Sequence, residues 1–375
     1  MITQPVAHRL RNRDMTAAWR HVDWVLVALV SLLSIFGALM VYSATKNKAD
    51  PYGFISKHAM FVAIGVVVMA AVAALDYQKL RDWAMPIYLL CIAGLGGVLV
   101  FGSVHANIKA WYDIGPFQIQ PSEFAKVATI VTVASYLGSI HDGIRLRHVV
   151  VSLVMLLLPV GLIMLQPDLG TALVFLVVAV GLLVVSGTPM RYLLVLVLLA
   201  VGGVVGILGS NTLDSYQKDR LTSFVNPDAA SQKVIYNTKQ AQTAIANGGV
   251  SGKGLFEGPF TKSGSVPAQQ TDFIFTVPAE ELGFLGSATL LLLEAGIVFR
   301  IWRTAQLARD EVGRLMCVGV LAMLVFHVFE NAGMNLGIMP VTGIPLPFVS
   351  YGGSAIIASF AAIGLVLNVH MRRFA

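Results

Sequence analysis

Charge is scarce in this chain. Only 12% of its 375 residues are Asp, Glu, Lys or Arg, about half the share in a soluble domain, while 56% are hydrophobic. Such a composition excludes an ordinary water-soluble globule. Cysteine is almost missing: Cys91 and Cys317 fall in apolar stretches far apart, which excludes a disulfide framework and a thiolate metal site and leaves two small buried apolar residues. The motifs of other membrane enzymes are missing too. Without a zinc-binding H-E-x-x-H, a G-x-G-D aspartyl pair or a G-x-x-x-x-G-K-[ST] phosphate loop, proteolysis and ATP-driven pumping lose their usual machinery.

What the chain has is oil in blocks. Apolar runs of spanning length, roughly 20 residues each, recur at 24–43, 58–75, 84–103, 120–138, 148–165, 168–187, 191–209, 283–302, 312–336 and 347–369. The expectation is an all-α integral membrane protein of ten transmembrane helices, forming one membrane domain over 1–375. Residues 1–22 are basic, and the apolar stretch that follows is too long for a cleaved leader, so they read as a cytoplasmic tail.

Orientation follows from arginine. With alternating spans, Arg9, Arg11, Arg13, Arg20, Lys79, Arg81, Arg145, Arg147, Arg191, Arg300, Arg303, Arg309, Arg314, Arg372 and Arg373 fall on one side, and Lys and Arg in short loops mark the cytoplasm. Both termini are then inside. These residues also explain the net charge of +6, so a nucleic-acid partner is not called for. The opposite side carries Lys46, Lys48, Lys57 and Lys109 in short loops, plus one long loop over 210–282. In that loop Pro227 and Asp228 open a helical pattern with Val234, Thr238, Ala241 and Ile245 on one face, and Asn247, Gly248 and Gly249 close it. The expectation is an amphipathic helix on the outer membrane surface.

Four polar clusters all fall on that outer side: QPSEFAK (120–126), QPDLGTA (166–172), TDFIFTVPAEELG (271–283) and PVTGIPLPFVSYGGSA (340–355). Pro121 and Glu123 suit the first turn of a helix. Lys126 lies a turn deeper on the same face as Glu123, and an ionisable group at membrane depth normally meets a cavity or a partner. Asp168 also fits a first turn. Asp272 precedes Phe273, Ile274 and Phe275, an apolar boundary where a carboxylate stripped of water becomes a stronger proton acceptor. Of Glu280 and Glu281, at most one is expected to be functional. Glu294 and Glu330 lie inside spans with no motif to say what they do. The prolines and small residues through 340–355 oppose a simple helix and suggest irregular backbone lining a cavity. Several helix starts near one outer pocket would suit a phosphate or pyrophosphate.

These clusters, with GGVSGKGL (248–255) between them and in the same order, resemble the SEDS family over nearly the whole chain. The resemblance implies a ten-helix peptidoglycan glycosyltransferase that polymerises lipid II at the outer face of the bacterial inner membrane, of the elongation type, beside a class B penicillin-binding protein and membrane lipids. It matches Asp272 to the family's essential aspartate, and Glu123 and Lys126 to its fourth-span pair. Asp272 would be the general base, while Lys126, helix N-termini and a divalent cation (Mg²⁺ or Mn²⁺) would stabilise the departing pyrophosphate. The metal's own ligands stay unassigned. Substrate contacts would come from Asp168, Lys57, Lys109, Gln240, Lys253, Thr271, Glu280, Ser350, Tyr351, Gly352, Gly353 and Ser354.

The chain departs from the family pattern at Gln270, at Ala110 and at Lys57-His58, and lysine does not replace arginine at a bidentate phosphate contact. Two other classes stay open on sequence: a transporter of lipid-linked precursor, for which buried charges in a multi-span chain are equally natural, and a non-catalytic scaffold. A division-type relative is a further alternative within the family.

Overall fold

Aspartate and proline mark where many of the helices begin. In the computed structural model, which describes residues 18–105, 108–115, 117–198 and 232–374, α1 (Trp24–Thr45) starts at Asp23, whose carboxylate accepts the Leu26 N–H at 3.1 Å. α2 (Pro51–Ala74) starts the same way at Asp50, which accepts the Gly53 N–H at 2.8 Å. The short α3 (Tyr77–Asp82) starts at Asp76, which accepts from Gln78 at 3.0 Å. Each cap satisfies a donor that helix geometry leaves orphaned and contributes about 1 kcal/mol.

After α4 (Ala84–Phe101) the expectation of an all-α chain fails. Three short strands, β1 (Ser103–His105), β2 (Ile108–Ile114) and β3 (Phe117–Ile119), form an antiparallel meander that pairs Val104 with Lys109 and Tyr112 with Ile119. Alternation in IKAWYDI is too short a signal to read between two spans, and tertiary contact settles it. The Tyr112 hydroxyl donates to the Gly94 carbonyl at 2.9 Å, and the Lys109 ammonium donates to the Leu99 and Val100 carbonyls at 2.8 and 3.1 Å.

The chain continues through α5 (Pro121–Gly138), α6 (Leu146–Met164), α7 (Leu169–Val185) and a helical stretch over 190–198. From residue 232 come α8 (Gln232–Gly248), α9 (Pro259–Ser263), α10 (Thr276–Glu281), α11 (Gly283–Gln306), α12 (Glu311–Leu336) and α13 (Gly353–Met371). Among the described residues seven helices, α1, α2, α4, α6, α11, α12 and α13, are long and apolar enough to cross a membrane, so the chain is a multi-pass membrane protein. Within those residues this criterion does not reach the expected ten. α7 has 17 residues, and α5 carries polar side chains, Glu123 and Lys126 among them, on a buried face. Most of the expected span 191–209, together with Pro227 and Asp228, lies outside the described residues.

One buried core runs from Leu26 to Met371. α5 and α13 are buried along most of their length, whereas α2 and α4 leave their outer faces exposed. α13 packs along α2, and Gly364 permits it, since a Cβ there would stand 2.7 Å from the Met69 carbonyl oxygen. Without a hydrophobic drive between helices in lipid, close backbone approach supplies the attraction.

The amphipathic α8 does not lie free on a membrane surface. Its face is covered by protein: Ala241 and Ala244 are buried with Val266 and Phe273, and Gln242 donates to the Leu336 carbonyl at 3.2 Å. Small residues on that face let α8 pack against α10 and α12.

Candidate active site

Asp272 sits in a segment held from several directions. Its carbonyl accepts from the Asn331 amide at 2.9 Å and from Asn335 at 3.3 Å, both on α12. The Thr271 carbonyl accepts from the Ser350 hydroxyl at 2.7 Å, and the Gln270 carbonyl from the Tyr351 N–H at 2.8 Å. Lys48, whose ammonium is pushed down from its ordinary value by burial, donates to the Gln270 side chain at 2.7 Å. The backbone is thereby fixed while the Asp272 side chain, half-buried, lines a cavity of about 1080 Å³.

Lys126 lines the same cavity from α5. Its ammonium donates to Glu123 at 2.8 Å and meets His327 Nε2 of α12 at 3.0 Å, with all three residues at or below 5% exposure. His327 Nδ1 lies 2.6 Å from the Met323 carbonyl. A carbonyl only accepts, so Nδ1 carries the proton and Nε2 presents a lone pair to the ammonium. Glu123 balances the charge of Lys126 where neither could stand alone.

Three helices begin at this cavity: α5 after Gln120, α7 after Asp168 and α13 after Gly352. Only α7 has a side-chain cap. Asp168 accepts from the Thr171 N–H at 3.0 Å and its hydroxyl at 2.8 Å, so it is the N-cap, not a first-turn residue. The N-termini of α5 and α13 have no side-chain cap; at α5 Pro121 has no N–H and the Glu123 N–H donates to the Gln120 carbonyl at 3.2 Å, so the backbone donors of the kind that bind anions are those of α13. Ser354 ties these two starts together, accepting the Gln120 N–H at 2.9 Å.

Lys57, Thr271, Tyr351, Gly352, Gly353 and Ser354 also line the cavity, whereas Lys109, Gln240, Lys253, Glu280 and Ser350 do not. Each of the five has another place. Lys109 caps the carbonyl end of α4, Gln240 lies on the half-buried side of α8, and Lys253 is exposed. Ser350 is spent on the Thr271 carbonyl and the Leu346 N–H. Glu280 is fully buried, accepting the N–H groups of Phe260 and Thr261 at 2.7 and 2.9 Å and the Thr261 hydroxyl at 2.8 Å, so it nucleates the turn of α9. Glu281 anchors the loop to α1 through the Ser43 hydroxyl at 2.5 Å, and burial pushes its carboxyl up. Both acids are structural because the loop folds back over them.

Sequence reasoning missed His327, Asn331 and Asn335, and it missed Trp111 and Asp113, which the β-meander brings to the cavity. His327, Asn331 and Asn335 repeat at i, i+4 in α12, and that polar stripe was the available signal. Nothing comparable marks Trp111 or Asp113. Glu330 accepts from Thr342 at 2.8 Å behind the cavity wall, and Glu294, 1% exposed, lies apart from it in α11. Gln270 serves Lys48, and His58 is buried against Tyr351 with ring centroids 6.3 Å apart, so these departures from the family pattern are built into packing.

A family profile described as cell cycle protein, covering the FtsW, RodA and SpoVE proteins, matches residues 23–374. The chain belongs to this family. The peptidoglycan glycosyltransferase MrdB of Escherichia coli K12 is 34% identical over 354 residues, 94% of each chain. Stage V sporulation protein E of Bacillus subtilis is 35% identical over 364 residues, 95% of this chain and 98% of its own. Among solved structures, a chain of a peptidoglycan synthase complex that coordinates polymerization and crosslinking aligns with a TM-score of 0.82 at 33% identity, covering 94% of this chain and 98% of that one. The rod shape determining protein RodA of Thermus thermophilus aligns at 0.71 with 32% identity, covering 94% and 98%.

Proposed function

We propose that this protein is a peptidoglycan glycosyltransferase of the elongation type, polymerising lipid II, and that the cavity holding Asp272 and Lys126 is its active site. The observation that carries the reading is the meeting of half-buried Asp272 with a buried ammonium and the uncapped N-terminus of α13 in one hollow. The relatives' names and full-length similarity support the same activity.

The reaction joins two lipid-linked sugars. The 4-hydroxyl of one unit attacks the anomeric carbon of the other, its proton passes to the Asp272 carboxylate, and the anomeric bond to the lipid pyrophosphate breaks with inversion. A positioned carboxylate of this kind contributes about 10²–10⁴-fold. The departing pyrophosphate gains negative charge, which the Lys126 ammonium and the backbone N–H groups at the start of α13 stabilise most in the transition state. Among the described residues no three His, Cys, Asp or Glu side chains gather to hold a metal. A divalent cation, Mg²⁺ or Mn²⁺, held with the substrate among the carboxylates lining the cavity, would supply further positive charge to the departing pyrophosphate.

The arginine-rich end faces the cytoplasm in this reading, with both termini inside and the cavity outside, in the bacterial inner membrane. α5 and α7 bring the spans to nine among the described residues, and the tenth expected span, 191–209, lies mostly outside them. The cavity draws on the loop-end halves of its helices, which favours extracytoplasmic chemistry over a transport route to both faces. A class B penicillin-binding protein supplies crosslinking. The test is glycan synthesis from labelled lipid II by purified protein with that partner. Wild type makes polymer and Asp272→Ala makes none while keeping its melting temperature; polymer from the variant at the wild-type rate removes Asp272 from the mechanism. Lipid scrambling by protein that cannot polymerise favours a transporter.

A further inference from the structure

Lys126 is held from two helices at once. Glu123 lies three residues away on α5, so by itself it draws the ammonium along its own helix. His327 reaches it from α12, the helix that also holds the Asp272 backbone through Asn331. The Nδ1–H bond to Met323 fixes the imidazole so that only a lone pair faces Lys126. An ammonium has three donors on a stem that rotates freely. With Glu123 and His327 occupying two of them, one N–H is left on a side chain that lines the cavity.

We propose that His327 is a positioning residue for glycosyl transfer: it orients the Lys126 ammonium so that the third N–H meets the departing pyrophosphate. This rests on the reading of the cavity as the glycosyl-transfer site. The device works through the difference between substrate and product. Lipid II carries its pyrophosphate as a diester, and the freed lipid pyrophosphate carries one further oxyanion, which forms as the anomeric bond breaks. A correctly aimed ammonium therefore stabilises the transition state and the product more than the bound substrate.

The experiment compares wild type, His327→Leu and His327→Gln in steady-state polymerisation of lipid II, with undecaprenyl pyrophosphate as added inhibitor. Leucine keeps the volume without an acceptor, so kcat falls about 10–100-fold while KM changes by less than about twofold. Inhibition by undecaprenyl pyrophosphate weakens in parallel, an effect that a merely structural histidine would not produce. Glutamine can donate to the Met323 carbonyl and accept from Lys126, and it returns kcat to within about threefold of wild type. If the leucine variant does not accumulate folded, His327→Asn decides, because its amide is too short to serve both partners and kcat must fall as for leucine. Wild-type kcat in the leucine or asparagine variant overturns the proposal. So does loss of kcat with unchanged product inhibition, or a glutamine variant as impaired as the apolar one. Wild-type protein that makes no glycan removes the underlying reading and this proposal with it, whereas active wild type beside a fully active leucine variant removes the proposal alone.

Discussion

Two ends of the helix bundle both bury charge, and they treat it differently. At the arginine-rich end, Arg300 grips Asp23 with two bonds of 2.9 and 2.7 Å, Tyr77 donates to Asp310 at 2.9 Å, and Arg372 donates to the Asn368 side chain at 2.6 Å and to the carbonyls of Ala73 and Ala74. Protein surrounds these groups and uses their bonds. At the loop end, Glu123, Lys126 and His327 are equally well paired among themselves yet front a cavity of about 1080 Å³. A buried ion pair alone is therefore no sign of chemistry; a buried ion pair lining a cavity at which an uncapped helix begins is.

Lys126→Met tests that contrast hardest. It leaves Glu123 buried without its partner, so a loss on the order of 3–5 kcal/mol of stability accompanies the loss of polymerisation. Thermal melting of purified protein separates the two, and the double change Glu123→Gln with Lys126→Met restores melting without restoring glycan synthesis. At the other end, Asp23→Ala lowers stability on the order of 3 kcal/mol, with kcat per folded molecule unchanged. An equal fall in kcat would mean that the two ends are coupled.

Asn331→Leu sharpens the comparison within the site. Its amide bridges the Asp272 and Ile344 carbonyls at 2.9 and 2.8 Å, so its loss frees the backbone that aims the base, and kcat falls roughly tenfold with KM for lipid II little changed. The smallest expected effect is at Glu281. Burial holds its carboxyl above the ordinary range, so the fold favours the protonated form. The stability this contributes is complete below the ordinary carboxylate pKa and is lost as pH rises through the raised value. Glu281→Gln flattens that part of the melting-temperature profile and leaves polymerisation unchanged; a changed rate would place Glu281 in the reaction.

The membrane class, the starts of most spanning helices and the placing of Glu123 and Lys126 on one face were readable because each is local: a run of apolar residues, a proline at a helix start, a three-residue spacing. Asp272, Asp168 and the stretch from Tyr351 to Ser354 were singled out on the same local grounds, and the structure places them around one cavity. Glu280 shows where that reasoning stops. Its sequence context matches that of Asp272, an acid beside apolar residues before a span, yet the loop turns back to bury it under the N–H groups of Phe260 and Thr261. Lys109 fails for a similar reason, because a strand that sequence did not announce carries it to the end of α4.

By itself the sequence determined that this chain lies in a membrane, where most of its spanning helices begin, and that its ionisable residues outside the arginine-rich end are few. Those are properties of neighbouring residues, governed by transfer from water and by backbone donors seeking caps. Only the tertiary structure decided which charges face a cavity and which are consumed as struts. That choice depends on what α12, the β-meander and the folded loop bring from far along the chain, and no spacing between neighbours encodes the distance between Lys126 and His327.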